Sequence, residues 1–84
     1  MKKVTVYGSH LCPDTLYAIN VLKEKGFDVS FKNLSAALAD LKAFLAVREN
    51  DPMYDAVRAA GGVGIPLFEL EDGSRTLDLA KVLG

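Results

Sequence analysis

The chain has 84 residues, half of them hydrophobic and a quarter charged, which suffices for one small core and not for two. Ten basic and eleven acidic residues give a formal net charge of −1, and their dispersal leaves no basic stripe to neutralise phosphates, so nucleic acid is not an expected partner. A single cysteine excludes an internal disulfide framework and fits a reducing compartment, with the cytoplasm as the default.

Lys2 and Lys3 precede an apolar run that stops at Gly8 and Ser9, too short for a signal-peptide core. No apolar run approaches the roughly 20 residues that span a bilayer. The expectation is one soluble, untargeted, monomeric domain over residues 1–84, with no membrane partner.

Val4, Thr5, Val6 and Tyr7 predict a first strand, ended by a turn through Gly8, Ser9, His10 and Leu11. Cys12 then meets Pro13 as a helical pattern begins. Proline suits the first helical position because its missing N–H is unsatisfied there anyway, so Pro13 places Cys12 at the N-cap. Free backbone N–H groups and the positive end of the helix dipole then lie beside the sulfur and favour the thiolate, its reactive form.

Leu16, Ile19 and Leu22, with Ala18 and Val21 beside them, predict the buried stripe of this helix, and Gly26 its end. Residues 27–32 alternate, with Val29 and Phe31 on one side and Asp28, Ser30 and Lys32 on the other, which predicts a half-buried strand. A strand, a helix and a strand of this spacing form a right-handed parallel crossover.

Asn33 to Ser35 reads as a turn, and Ser35 as the N-cap of a long helix from Ala36 to about Glu49 whose face is Leu38, Leu41 and Leu45, flanked by Ala37, Phe44 and Val47. Asp51 and Pro52 start a shorter helix in which Met53, Val57 and Ala60 share a face, stopped by Gly61 and Gly62. Pro66 heads an alternating run to Leu70, as befits a strand's first residue or an edge. Asp72 and Gly73 signal a hairpin, Arg75 to Leu77 a short returning strand, and Asp78 the cap of a last helical turn with Leu79, Val82 and Leu83. The sum is an α/β fold: a four-stranded mixed sheet with helices on both faces.

The strand leading to Cys12, Pro13, Asp14 and Thr15 at a helix start, followed by Gly64, Ile65 and Pro66 opening the hairpin, resembles the thioredoxin superfold and, within it, the glutaredoxin family. The long helical middle and the Glu71, Asp72, Gly73 hairpin look like small bacterial glutaredoxin-related proteins. The resemblance covers essentially the whole chain and implies a thioredoxin-like (glutaredoxin-type) fold. It also implies a cis bond before Pro66, its placement beside Cys12, and a main chain at Ile65 that pairs with a bound peptide or glutathione. Thr15 stands where dithiol members have a second cysteine, so a one-chain disulfide cycle is not available. Ser9 stands in place of a lysine usual in the family, and Thr76 and Leu77 in place of a glycine pair. Asp78 matches an acidic residue that helps hold glutathione.

The expected site is therefore Cys12, Pro13 and Thr15 for chemistry, with Ile65, Pro66, Leu77 and Asp78 for binding glutathione or peptide and no metal. Cys12 is either an inert packed thiol or the nucleophile. Thr15 is either an ordinary first-turn residue or a hydroxyl donor to the Cys12 thiolate. The Asp14 carboxylate suits the helix dipole yet opposes a thiolate. His10 reads as an exposed loop residue or as a source of positive charge, and Arg48 and Arg58 as solvated faces or a ligand for a glutathione carboxylate. The function implied is a monothiol, glutathione-linked thiol-disulfide oxidoreductase of cell redox homeostasis. Glutathione is its co-substrate, glutathionylated or disulfide-bonded proteins are its partners, and it holds no tightly bound cofactor. The alternatives are a non-catalytic thioredoxin-fold binding module and an iron-sulfur carrier in which two protomers and two glutathiones supply the ligands.

Overall fold

The computed structural model describes residues 2–84; Met1 lies outside the described residues. The elements are β1 (Lys3–Gly8), α1 (Pro13–Glu24), β2 (Asp28–Asn33), α2 (Leu38–Asn50), a 3-10 turn (Pro52–Tyr54), α3 (Asp55–Ala59), β3 (Leu67–Leu70), β4 (Arg75–Thr76) and α4 (Leu79–Leu83). They build an α/β fold around a four-stranded mixed sheet of order β2-β1-β3-β4. β1 and β2 are parallel, as the intervening α1 requires, and β3 runs antiparallel to both β1 and β4. Among the described residues, no helix is long and apolar enough to cross a membrane.

Alternation along the strands divides the core in two. Val4, Val6 and Phe68 on one face pack with Ala18, Ile19 and Leu22 of α1 and Val82 of α4. On the other face, Tyr7 and Leu67 pack with Phe44 and Val47 of α2, Tyr54 of the 3-10 turn and Val57 of α3. The turn after α1 is closed by Phe27 N–H to Leu22 O at 3.0 Å, with Gly26 at φ 84°, the backbone that a glycine after a helix allows.

Four expectations are corrected. The buried stripe of α1 is Thr15, Ala18, Ile19 and Leu22, while Leu16 is 44% exposed; two adjacent stripes both satisfied the helical period, and Gly8, lacking a Cβ, admits Thr15 beneath the sheet. In α2 the fully buried residue is Phe44, with Leu38 and Leu45 exposed. Apolar residues occupy almost every side of this helix, so periodicity cannot choose the face, and Tyr54, edge-on to Phe44, does. Ser35 does not cap α2, which starts at Leu38 after Ala37; its hydroxyl is drawn away to Ser9. Asp51 does cap the following turn, accepting from Met53 N–H at 3.0 Å, but Ala60 lies beyond α3 and is exposed.

Candidate functional site

Strand register gathers the expected site residues at one end of the sheet. β1 and β2 finish together at the pair Gly8 and Asn33, and the loop to Cys12 leaves from there. β3 enters at the same end, since Leu67 pairs with Tyr7 and Pro66 immediately precedes it. β4 returns toward that end, because Thr76 pairs with Phe68 and Leu77 and Asp78 follow. The carboxyl ends of parallel strands are where α/β folds bind ligands.

Cys12 is the N-cap of α1 in extended conformation, φ −100° and ψ 113°, and Pro13 occupies the first turn. The Cys12 N–H donates to Ser9 O at 3.0 Å and its carbonyl accepts from Leu16 N–H at 3.2 Å. The residue is partly exposed. Thr15, one turn on, is fully buried; its Oγ1 accepts from Ser9 N–H at 3.4 Å, and a Cβ on Gly8 would meet both Thr15 Oγ1 and Cγ2 at 2.5 Å. Of the two roles open to Thr15, the geometry displays the structural one, a wedge beneath the end of β1.

The loop before Cys12 is tied to the turn after β2. Ser9 Oγ and Ser35 Oγ share a hydrogen bond of 2.5 Å, and Leu11 N–H donates to Ser9 Oγ at 3.0 Å. Asn33 Oδ1 accepts from His10 N–H at 3.4 Å and from Ser35 N–H at 3.1 Å. Those two donors set the amide's orientation, so Asn33 Nδ2 donates to His10 Nδ1 at 2.9 Å and the ring proton is left on Nε2. The exposed histidine is thus anchored by its ring rather than free.

The segment ahead of β3 is held through its carbonyls. Tyr54 OH donates to Gly64 O at 2.8 Å, and Arg48 donates through Nε to Val63 O at 3.1 Å and through Nη2 to Gly62 O at 2.5 Å. Burial pushes the Tyr54 phenol up to about 12, against the opposing pull of Arg48. Gly64 lies at φ 84°, and a Cβ there would collide with Tyr54 Cε1. Arg58 in turn donates to the carbonyls of Arg48 and Asp51. Arg48 and Arg58 are 19% and 27% exposed, which corrects the solvated-face reading: both are main-chain braces.

The Ile65–Pro66 bond is cis. Ile65 and Leu77 pack against the core containing Tyr54, whereas Asp78 is exposed and caps α4 by accepting from Ala80 N–H at 2.9 Å. A hollow of about 520 Å³ is lined by Met53, Arg75, Thr76, Leu77, Asp78 and Leu79 among others. Leu11 and Tyr17, flanking Cys12 in sequence, are 74% and 66% exposed. Among the described residues, no group of three or more His, Cys, Asp or Glu side chains gathers as metal ligands would.

No protein-family model and no solved structure matches the chain. An uncharacterized protein of Haemophilus influenzae is 32% identical to it over 82 residues, covering 98% of this chain and 95% of that protein. The chain belongs to that protein's family.

The residues that hold the loops are Ser9, Asn33, Arg48 and Tyr54: sequence reasoning gave Tyr54 no role and did not find the bracing roles of the other three. Their signals were weak. A serine, an asparagine or an arginine near a loop is ordinary surface composition. Only the run Gly61, Gly62, Val63, Gly64 hinted that carbonyls there would lie open to a donor.

Proposed function

We propose that the chain has a thioredoxin-like, glutaredoxin-type fold and works as a monothiol thiol-disulfide oxidoreductase whose nucleophile is Cys12. The observation that carries this reading is the position of the one cysteine: partly exposed, at the N-cap of a twelve-residue helix, with proline in the first turn. Backbone N–H groups at that point favour negative charge on the sulfur. The arrival of Pro66, Leu77 and Asp78 at the same end of the sheet supports it.

In the proposed cycle the Cys12 thiolate attacks the glutathione sulfur of a mixed disulfide R–S–SG. The new bond joins Cys12 to glutathione, and the old S–S bond breaks to release the substrate thiolate, which takes a proton from water. A second glutathione thiolate then attacks the Cys12 adduct, releasing oxidised glutathione and restoring Cys12. Two glutathione units leave as one disulfide and the substrate is reduced by two electrons. A second protein sulfur is not required, which accords with Thr15 as a buried wedge. The Ile65 main chain and the Asp78 carboxylate are the groups we assign to the glutathione peptide and its amino group.

The test is to incubate the protein with oxidised glutathione and find the adduct by intact mass spectrometry. Turnover of a glutathionylated peptide is then measured with glutathione as reductant. The expected result is a single adduct on Cys12 and turnover that Cys12→Ser abolishes. No adduct, or turnover equal in Cys12→Ser, would remove the proposal.

A further inference from the structure

We infer that the free edge of β2 pairs with β2 of a second copy of this chain, antiparallel about a two-fold axis at Ser30. β2 is the outer strand of the sheet, next to β1. Asp28 N–H donates inward to Lys2 O at 2.7 Å and Leu34 N–H to Gly8 O at 2.8 Å, bracketing the register from Lys3 and Asp28 to Gly8 and Asn33. In a parallel pair, bonds to one neighbour come from alternate residues. The even-numbered residues of β2 therefore address β1, and Val29, Phe31 and Asn33 direct N–H and C=O outward.

The Asn33 carbonyl is taken by the N–H groups of Ala36 and Ala37. The four outward groups of Val29 and Phe31 are taken by no hydrogen bond among the described residues. An antiparallel second copy takes up all four when Val29 faces the partner's Phe31 and Phe31 faces the partner's Val29. This dyad falls on Ser30. It also sets Asp28 against the partner's Lys32 and Lys32 against the partner's Asp28, while the Val and Phe side chains meet on the face that packs on α1.

Among the described residues, neither Asp28 nor Lys32 joins an ion pair within the chain, and Asp28 and Ser30 are exposed. Other dyads fail one requirement or the other. Centred on Phe31, Lys32 meets a serine; centred on Val29, Asp28 does; centred between residues, an outward group faces an inward one. A lone lysine on an edge strand discourages pairing. An acid two positions before Ser30 and a lysine two positions after it instead make the edge complementary to its own copy. The strand-sized contact makes the dimer weak and concentration-dependent.

Sedimentation velocity from about 5 µM to about 1 mM is expected to show the mass rising from monomer to dimer. Lys32→Glu and Asp28→Lys should each weaken association about tenfold, and the double charge swap should restore it. Circular dichroism verifies that each variant is folded. In a Cys12→Ser background, Ser30→Cys should cross-link under copper-phenanthroline oxidation, because a non-hydrogen-bonded pair brings its Cα atoms to about 4.5 Å. Asp28→Cys should not cross-link, since its own counterpart would lie about 13 Å away. A monomeric mass throughout, equal cross-linking at 28 and 30, or losses that the double swap does not restore would overturn the inference.

Discussion

Gly64 and Tyr54 show how much rests on single atoms. The backbone of Gly64 lies in the left-handed region and its missing Cβ leaves room for the Tyr54 ring, so Gly64→Ala meets both penalties. A loss of about 2–4 kcal/mol is expected in urea unfolding. Tyr54→Phe keeps the ring and loses only the bond to Gly64 O, about 1 kcal/mol. It should also change the alkaline limb of stability. The folded phenol, with its pKa raised to about 12 from 10.0, holds its proton where the unfolded one has released it. Its contribution is whole below pH about 10 and falls by about 1.4 kcal/mol per unit up to about 12. Tyr7 shifts in the same direction, chiefly through burial, so the decline in Tyr54→Phe should be shallower rather than absent when unfolding is followed from pH 9 to 12.

At the scale of elements, the contact between β1 and α1 is set by Gly8 and Thr15. A side chain at position 8 would press on both branches of Thr15 at 2.5 Å, from the last residue of a strand that cannot move without breaking its register. Gly8→Ala should therefore cost about 1–3 kcal/mol. In a double-mutant cycle with Thr15→Ala the two losses should add to more than the double variant's loss, because removing the branches makes room for the new methyl. Equal sums would mean that the strand shifts instead. The same contact explains why α1 buries Thr15 rather than Leu16, leaving apolar surface near the Cys12 loop exposed.

For the molecule as a whole, 84 residues imply a stability of only about 0.05–0.15 kcal/mol per residue. The two cores lie on opposite faces of one sheet, with Gly8 and Thr15 beneath one face and Gly64 and Tyr54 on the other. The penalties of Gly8→Ala and Gly64→Ala have no shared partner and should add. The double variant is expected to be largely unfolded at 37 °C by circular dichroism while each single variant remains folded.

Much of this architecture was legible without coordinates. The element order, the cap at Asp51, the hairpin after β3 and the Cys12–Pro13 junction depend on neighbours a few residues apart, and local backbone chemistry decides such features. What required the tertiary structure was the choice among partners remote in the chain. Ser35 bonds to Ser9, 26 positions away, instead of capping a helix, and Arg48 reaches carbonyls 14 and 15 positions on instead of meeting solvent. A hydrophobic period states which residues share a side of a helix, but not which side meets the sheet. In α2, apolar on almost every side, the buried face was decided by the ring of Tyr54 against Phe44.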